Sequence, residues 1–311
     1  MTRGAWAEPY RSPAWQHRRV DVSELVPLTG GWSGRTFLAE VAGERSVVRV
    51  YPPDERSGVG AEIDAAVLRL VRGLVPVPEV LEVRPSSATE DRPGVLVTSY
   101  VPGVRGDELL PTLGPEGLRT IGAVLGGLLA DLGGMPMVRP GMFVDADLTV
   151  VPWDLDLPAY VAEQEPRLAH LSVDELEGLR EVAVEAQTLL DTVPRTCLVH
   201  SDLNPKNLLV DPETLGLTAV VDWEYAHAGH PFTDLGNLLR FDRDPVLTSA
   251  VLEAYAGRRG VPPDDALALA RSADLFALVE LATRRSAIPV AERADRLLRT
   301  IARRRDAAAT G

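Results

Sequence analysis

The sequence contains very little cysteine, little lysine and no long uninterrupted hydrophobic run. Cys197 is the only cysteine among the 311 residues, which excludes an intramolecular disulfide and a cysteine-based zinc site. The N-terminus has no apolar core of a signal peptide, and charged residues interrupt the longest apolar stretches well below membrane-spanning length. These absences predict a cytosolic protein that does not enter a membrane. Cys197 is predicted to be a small buried apolar residue.

The charges are strongly unbalanced. The chain has 45 acidic and 32 basic residues, a formal net charge of −13, and such a surface repels the phosphate backbone of nucleic acids. Residues 1–100 carry 12 Arg and 13 acidic residues, whereas residues 101–311 carry 20 basic and 32 acidic residues. The acidic second part favours a cationic substrate through electrostatic attraction. The alternative is that the charge serves solubility alone.

The hydrophobic pattern changes once, near residue 100. Short β-rich runs broken by turns come before that point, and long amphipathic segments dominate after it. We therefore predict an N-lobe over 1–100 and a C-lobe over 101–311. Predicted helices cover 61–71, 117–132, 177–190, 245–255, 264–285 and 291–304, the third of them after a capping box at 172–175. Residues 136–158 are predicted to form a loop or insertion that shapes a substrate pocket.

The most informative segment is residues 200–207, with the sequence HSDLNPKN, which Asp222 follows fifteen residues later. Transfer of a nucleotide γ-phosphate needs a carboxylate that orients the attacking hydroxyl, together with an amide oxygen and a second carboxylate that hold magnesium. Asp202, Asn207 and Asp222 supply these three groups. Predicted strands flank them at 196–199, 208–210 and 217–221. The segment therefore predicts a phosphoryl-transfer site at strand ends.

This pattern resembles that of the aminoglycoside phosphotransferase and choline kinase superfamily, whose fold is similar to that of protein kinases. The family pattern is H-x-D-x-x-x-x-N, a strand, and then D-x-E or D-x-D, and this chain matches each position. The resemblance implies an α+β, two-lobe fold with a small antiparallel β-rich N-lobe and a larger, mainly helical C-lobe. It also implies that Asp202 is the catalytic base and that Asn207 and Asp222 bind Mg²⁺. Glu224 would be a secondary metal or active-site carboxylate.

Three departures separate the chain from eukaryotic-type protein kinases. No lysine lies two residues after Asp202, and Trp-Glu instead of Phe-Gly follows Asp222. An activation loop with an Ala-Pro-Glu ending is also missing from the sequence. We therefore expect an acceptor that is not a protein.

Residues 28–40 have a strand, glycine-rich turn, strand pattern that includes Gly30, Gly31 and Ser33. Glycine lets backbone N–H groups approach phosphate oxygens without interference from a Cβ atom. Such a turn alone fits any hairpin. Its position upstream of the catalytic loop, as in the resembled family, favours a cover over the triphosphate, with Ser33 contacting the phosphates.

Arg49, on a strand predicted at 46–51, falls where protein kinases place a lysine that pairs the α- and β-phosphates. Arginine brings a permanent charge and two parallel donors to that position. Glu62 at the start of helix 61–71 is its predicted partner and Asp64 the second choice, while Glu62 also fits a role in stabilising the helix dipole. The predicted inner face of the helix consists of Ile63, Ala66, Val67 and Leu70.

An apolar run at 94–101 ends in Pro-Gly, which matches the hinge between the lobes of the resembled family. Adenine would then bond the backbone carbonyl of Ser99 and the N–H of Val101. These backbone contacts are compatible with either ATP or GTP.

Lys206 is the only lysine in the chain, and it lies one residue before Asn207. This position places an ammonium group near the γ-phosphate, and the alternative is a side chain that points into solvent. His200 is predicted to brace the loop through hydrogen bonds. Asp234 is predicted either to accept backbone N–H bonds from the catalytic loop, as in the resembled family, or to cap a helix at 235–240.

Together these features predict a magnesium-dependent kinase that transfers the ATP γ-phosphoryl group to a hydroxyl of an aminoglycoside-like or other cationic small molecule. The alternatives are a kinase of a sugar, amino alcohol or homoserine-like metabolite, and a non-catalytic nucleotide-binding pseudokinase. The presence of Asp202, Asn207 and Asp222 favours catalysis. The expected partners are ATP or GTP, Mg²⁺ and the small-molecule acceptor, with no nucleic acid and no membrane. No sequence feature fixes an oligomeric state.

Overall fold

The computed structural model describes residues 25–28, 35–41, 43–52, 58–153, 156–241, 244–285 and 289–310. The chain forms two lobes of the protein-kinase-like type, a small antiparallel β-sheet lobe followed by a larger helical lobe. Gly30, Gly31 and Ser33, the predicted cover over the triphosphate, lie outside the described residues. Their role remains a prediction, as does the lobe boundary at residue 100.

An antiparallel five-stranded sheet forms the N-lobe. Its strands are β1 (Leu25–Pro27), β2 (Arg35–Val41), β3 (Glu44–Tyr51), β4 (Val80–Arg84) and β5 (Gly94–Ser99), in the spatial order β1-β2-β3-β5-β4. Gly43, with a φ of 82°, makes the tight turn between β2 and β3. In β5 every second residue is buried, beginning with Gly94 and including Leu96, as expected for a sheet with one covered face. The sheet carries Arg49 on β3, its central strand.

Helix α1 (Gly60–Val71) covers this sheet. Its buried arc is centred on Gly60, Asp64 and Val71, and it includes Ile63. Leu70, predicted to face inward, is 40% exposed because it falls beyond the edge of that arc. The helix therefore directs Asp64, rather than Leu70, towards the sheet.

Helices dominate the C-lobe. They are α2 (Gly106–Leu109), α3 (Pro115–Leu132), α4 (Leu157–Gln164), α5 (Val173–Leu190), α6 (Thr233–Leu239), α7 (Pro245–Arg259), α8 (Pro263–Ala282) and α9 (Pro289–Arg304). The predicted capping box at the start of α5 is confirmed, since Ser172 and Glu175 exchange both side-chain-to-backbone bonds. A Cβ atom at Gly126 of α3 would lie 2.3 Å from the carbonyl oxygen of Val251, so glycine permits the close crossing of α3 and α7.

Short strands complete the C-lobe and form two small sheets. The strands are β6 (Val104–Arg105), β7 (Gly141–Phe143), β8 (Val150–Pro152), β9 (Cys197–Val199), β10 (Leu208–Val210), β11 (Leu217–Val220) and β12 (His227–Gly229). One sheet has the order β11-β10-β6 and the other β8-β7-β12-β9, and the predicted β10–β11 hairpin is confirmed. Residues 136–158 are only partly a loop, because the β7–β8 hairpin lies within them. Strands of three residues are too short to leave a clear alternation in the sequence.

Two hydrophobic clusters hold the molecule together. The larger one joins α1 and β5 to α3, β10 and α7, and the second lies among α4, α5, α8 and α9. Cys197 is buried and unpaired, as predicted. None of the helices within the described ranges combines the length and the apolar character needed to cross a membrane.

Candidate active site

The catalytic loop begins where β9 ends and is anchored by Asp234. This carboxylate is 4% exposed and accepts the backbone N–H groups of His200 at 2.9 Å and Ser201 at 2.7 Å. Ser201 has a φ of 67°, an unfavourable region for a serine, so the two bonds hold the loop in a strained turn. Asp234 lies inside the first turn of α6, whose N-cap residue is Phe232. The anchoring role is therefore confirmed, and the alternative role as a helix cap is wrong.

His200 braces the catalytic loop through hydrogen bonds, as predicted. The ring is fully buried, accepts the N–H of Asp202 at Nδ1 (3.2 Å), and therefore donates from Nε2 to the carbonyl of Val221 at 3.0 Å. Its centroid also lies 4.6 Å from that of Trp223. These contacts join the catalytic loop to the segment that carries Asp222.

The Asp202 carboxylate is held at both oxygens. Asn204 donates from Nδ2 to Oδ1 at 2.7 Å, and Asn207 donates from Nδ2 to Oδ2 at 3.0 Å. The ammonium of Lys206 lies 3.3 Å from the same Oδ2. The carboxylate is thus fixed in orientation while 21% of its side chain stays accessible, as a base that meets an incoming hydroxyl requires.

Asn204 is a site residue that was not predicted from the sequence. Its side chain accepts the N–H of Lys206 at 3.2 Å, which caps the 3₁₀ turn Pro205–Asn207, and the same amide donates to Asp202. The Asn-Pro pair before a turn is a recognisable capping signal. Only the folded loop shows that the amide group also reaches the catalytic carboxylate.

Asn207 is buried and directed by two bonds. Its Nδ2 atom donates to the backbone carbonyl of Asp202 at 2.8 Å and to the carboxylate of the same residue. These bonds do not use the amide oxygen on the same terminal carbon, so that oxygen is available as a ligand. The carbonyl of Asn207 accepts the N–H of Val221 at 2.9 Å, which places the next residue, Asp222, beside this turn.

Asp222 follows β11 and adopts a left-handed conformation, with φ 68° and ψ 59°. Arg49 Nη1 on β3 lies 2.7 Å from Asp222 Oδ1, and its Nη2 contacts Glu224 Oε2. Burial alone lowers the pKa of Arg49, but Tyr51, Asp222 and Glu224 more than offset that effect and raise it. The guanidinium is therefore permanently charged and bridges the two lobes.

Glu62, the predicted partner of Arg49, makes no ion pair with it within the described residues, and its Oε2 atom is buried there without a hydrogen-bond partner. Asp64, the second choice, is buried, accepts the Tyr51 hydroxyl at 2.7 Å and contributes to the raised pKa of Arg49. Residues two apart lie on nearly opposite sides of a helix. Helix α1 turns Asp64 towards β3, and Arg49 pairs with Asp222 and Glu224 instead of Glu62, so the predicted pair is wrong.

Ser99 and Val101 lie where the hinge was predicted. Ser99 is the last residue of β5, and its hydroxyl accepts the N–H of Glu79 at 2.9 Å. The backbone N–H of Ser99 also donates to the Glu79 carbonyl at 2.8 Å. Val101 follows in the segment that leads to β6 and the C-lobe. Their contacts with adenine remain predictions.

The oxygen donors near the catalytic loop fit Mg²⁺. This ion takes one or two protein carboxylates, substrate phosphates and water, and it prefers hard oxygen ligands. The amide oxygen of Asn207 and the carboxylate of Asp222 are ligands of this kind. Over the parts of the chain that the structure describes, no three His, Cys, Asp or Glu side chains form a metal cluster by themselves.

The fold and this loop are those expected of a kinase-like phosphotransferase. A sequence model of the phosphotransferase enzyme family matches residues 24–270, and the chain belongs to that family. The predicted superfamily is thereby confirmed.

Solved structures share the fold at low sequence identity. A complex of a thermostable mutant of aminoglycoside phosphotransferase APH(4)-Ia with ADP and hygromycin B superposes with a TM-score of 0.63 at 19% identity, covering 91% of this chain and 92% of that one. The GDP complex of a mutant of aminoglycoside 2'-phosphotransferase-IIIa gives a TM-score of 0.66 at 18% identity, covering 90% and 91%. At these identities the likeness establishes the fold alone.

The sequence is also similar to a much longer protein. Acyl-CoA dehydrogenase family member 10 of Mus musculus is 27% identical over 273 residues. The match covers 78% of this chain and 24% of the mouse protein, so the chain spans about a quarter of that relative's length.

Proposed function

We propose that the protein is a magnesium-dependent kinase that transfers the γ-phosphoryl group of ATP or GTP to a hydroxyl group of a small molecule. The observation that carries the proposal is the fixed Asp202 carboxylate, which Asn204 and Asn207 hold beside the segment that carries Asp222. A pseudokinase has usually lost the catalytic base or a metal ligand. Asp202, Asn207 and Asp222 are all present in this chain.

In the proposed mechanism, Asp202 accepts a hydrogen bond from the acceptor hydroxyl, orients its oxygen and takes its proton as that oxygen bonds to the γ-phosphorus. The bridging P–O bond between the γ- and β-phosphates breaks in the same step, and the nucleoside diphosphate leaves. Asn204 and Asn207 keep the carboxylate in place during that step. Asn207 and Asp222 would hold Mg²⁺, which neutralises charge on the nucleotide phosphates when it is bound. Lys206 lies beside Asp202 and is partly exposed, which supports a role in which its ammonium would face the transferring group.

The first candidate acceptor is an aminoglycoside-like or otherwise cationic molecule. The acidic excess of residues 101–311 supports it, because a lobe with net negative charge attracts a cation. A solved structure of the same fold contains ADP and hygromycin B, which also supports it. The alternative is a primary metabolite, such as a neutral sugar, a cationic amino alcohol or a zwitterionic homoserine-like compound.

A second candidate acceptor is a hydroxylated acyl compound. The similarity to acyl-CoA dehydrogenase family member 10 favours it, since the matched segment is one part of a larger protein named for acyl-CoA chemistry. Such an acceptor is anionic when it is attached to coenzyme A. The two candidates therefore differ in charge, and an experiment can separate them.

The test is acceptor-stimulated release of ADP from ATP and Mg²⁺ by the purified protein. The panel contains aminoglycosides, amino alcohols, sugars, homoserine and hydroxyacyl thioesters, each compared with its deoxy analogue. The proposal expects stimulation by at least one hydroxylated compound and none by its deoxy analogue. Tight ATP binding without stimulation by any compound supports the pseudokinase alternative instead.

A further inference from the structure

A cavity of about 550 Å³ lies in the C-lobe among the C-terminal end of α5, the end of α7 and the start of α8. Arg195, Tyr255 and Arg259 line it together with the apolar side chains of Leu189, Phe232 and Leu269. We name it the Tyr255 cavity. None of Asp202, Asn207 and Asp222 is among its lining residues, so it is separate from the catalytic loop. Its volume falls in the range of small-molecule sites.

The two arginines of the cavity converge on one backbone oxygen. Arg195 donates from Nη1 to the carbonyl of Gly133, and Arg259 donates from Nη2 to the same carbonyl at 3.2 Å. Across the described parts of the chain, neither guanidinium has a carboxylate within ion-pair distance. The neighbouring Arg258 differs, because it pairs with Asp131 at 2.6 Å. Two positive charges are thus held close together at the C-terminal end of α3, and within the described residues neither is in an ion pair.

The hydroxyl of Tyr255 provides a third, independent observation. The side chain is 1% exposed, and within the described residues its oxygen has no hydrogen-bond partner. A Cβ atom added at Gly133 would lie 3.5 Å from this oxygen, so the hydroxyl and both guanidiniums surround the same residue. Burial raises the pKa of Tyr255 to about 12, against the opposing effect of Arg259 and Arg195. The hydroxyl is therefore a neutral donor at physiological pH.

We propose that the Tyr255 cavity binds a small molecule with one anionic head group, a carboxylate or a phosphate monoester, on an apolar body. The head group accepts hydrogen bonds from Arg195, Arg259 and the Tyr255 hydroxyl, which gives the arginines an ion-pair partner and the hydroxyl an acceptor. The apolar body packs against Leu189, Phe232 and Leu269. Asp265 is the acidic residue on the lining, and it is exposed, so it opposes the anion only weakly.

The first test compares three probes on the wild-type protein by isothermal titration calorimetry. Hexanoate carries the carboxylate and an apolar chain, hexanamide has the same shape without the charge, and monobutyl phosphate carries the other head group. We expect hexanoate or monobutyl phosphate to bind at least about tenfold more tightly than hexanamide, because only they pair with the arginines. The tighter of the two identifies the head group. Equal binding of all three, or none, overturns the proposal without any variant.

The second test places the bound anion in the Tyr255 cavity. Arg195→Gln and Arg259→Gln should each weaken binding of the tighter probe about tenfold, and Tyr255→Phe about fivefold. Arg258→Gln is the matched control, since Arg258 is adjacent in sequence but paired with Asp131 on the surface, and it should leave binding unchanged. Tyr255→Phe should also leave the urea midpoint unchanged or slightly raised, because the hydroxyl has no partner to lose. The assignment is contradicted if Arg258→Gln weakens binding of the probe as much as the other two arginine variants do. It is also contradicted if Tyr255→Phe binds the probe as tightly as the wild type.

Discussion

Arg49 Nη1 lies 2.7 Å from Asp222 Oδ1, and this ion pair connects the central strand of the N-lobe sheet to the active-site half of the C-lobe. The same guanidinium contacts Glu224. The three side chains are 15%, 22% and 7% exposed, so water screens the contact only in part. One arginine therefore neutralises two carboxylates that would otherwise repel each other.

Replacing Arg49 should destabilise the protein in a magnesium-dependent way. Arg49→Gln leaves Asp222 and Glu224 together without a counter-charge, and we expect the free energy of unfolding to fall by about 2 kcal/mol in urea titrations. Magnesium ions should recover part of this loss and affect the wild type less, because only the variant has uncompensated carboxylates.

Arg258→Gln is the control for the Arg49 variant. It breaks the exposed pair with Asp131 and should change stability by no more than about 1 kcal/mol. If the two variants unfold at the same urea concentration, the bridge between the lobes contributes nothing beyond an ordinary surface pair.

Removing the amide group of Asn204 should slow transfer without loosening nucleotide binding. In Asn204→Ala the Oδ1 atom of Asp202 loses its 2.7 Å bond, so the carboxylate gains rotational freedom. We expect kcat to fall about tenfold while KM for the nucleotide stays within about twofold. Steady-state kinetics with the nucleotide varied at saturating acceptor measure the split. A change confined to KM assigns Asn204 to binding instead.

Lys206 should contribute to the rate through its charge. We expect Lys206→Ala to lower kcat by about tenfold to a hundredfold, because an ammonium next to Asp202 stabilises charge on the transferring group. Lys206→Arg should keep part of that rate. An unchanged turnover number in Lys206→Ala would leave the side chain with no role beyond solvent contact.

The capping box of α5 should make the free energy of unfolding depend on pH in the acidic range. Burial alone raises the pKa of Glu175, but Arg299 and the N–H of Ser172 more than offset it and lower the pKa from 4.5 to about 2. A carboxyl whose pKa is lowered on folding stabilises the fold at every pH above its pKa in the unfolded chain. This contribution disappears as the pH falls from about 4.5 to about 2. At pH 7 the free energy of unfolding of Glu175→Gln should therefore be about 2 kcal/mol lower than that of the wild type. This figure allows for the exposure of the arginine partners of Glu175.

The pH series distinguishes this account from a packing effect. Unfolding free energies of wild type and Glu175→Gln should converge as the pH falls through that window. Glu177→Gln, on the exposed face of the same helix, should follow the wild type throughout. A difference for Glu175→Gln that is independent of pH points to packing and not to charge.

Local patterns allowed much of the site to be predicted. The catalytic loop and the Ser172–Glu175 capping box each lie within eight residues, so their spacing in the sequence already fixes which groups meet. The β10–β11 hairpin was equally local.

Apart from the anchoring of the catalytic loop by Asp234, which the family resemblance implied, contacts between distant segments were not predicted correctly. Arg49 pairs with residues 173 and 175 positions away, and the turn that presents them depends on the left-handed backbone of Asp222. The expected pair with Glu62 failed because the rotation of α1 about its axis is set by packing against the sheet. The convergence of Arg195, Tyr255 and Arg259 likewise exists only after α7 and α8 have packed beside the end of α5.

The most direct test of the central claim is the rate of phosphoryl transfer in Asp202→Asn, measured together with nucleotide affinity. The substitution keeps the shape of the side chain but removes its ability to take a proton. We predict that kcat for an active acceptor falls about 10²–10⁴-fold while the Kd for ATP in the presence of Mg²⁺ stays within about threefold. Asp264→Asn, at an exposed position of α8, should retain full activity. Undiminished transfer by Asp202→Asn would contradict the assignment of the catalytic base and, with it, the proposed mechanism.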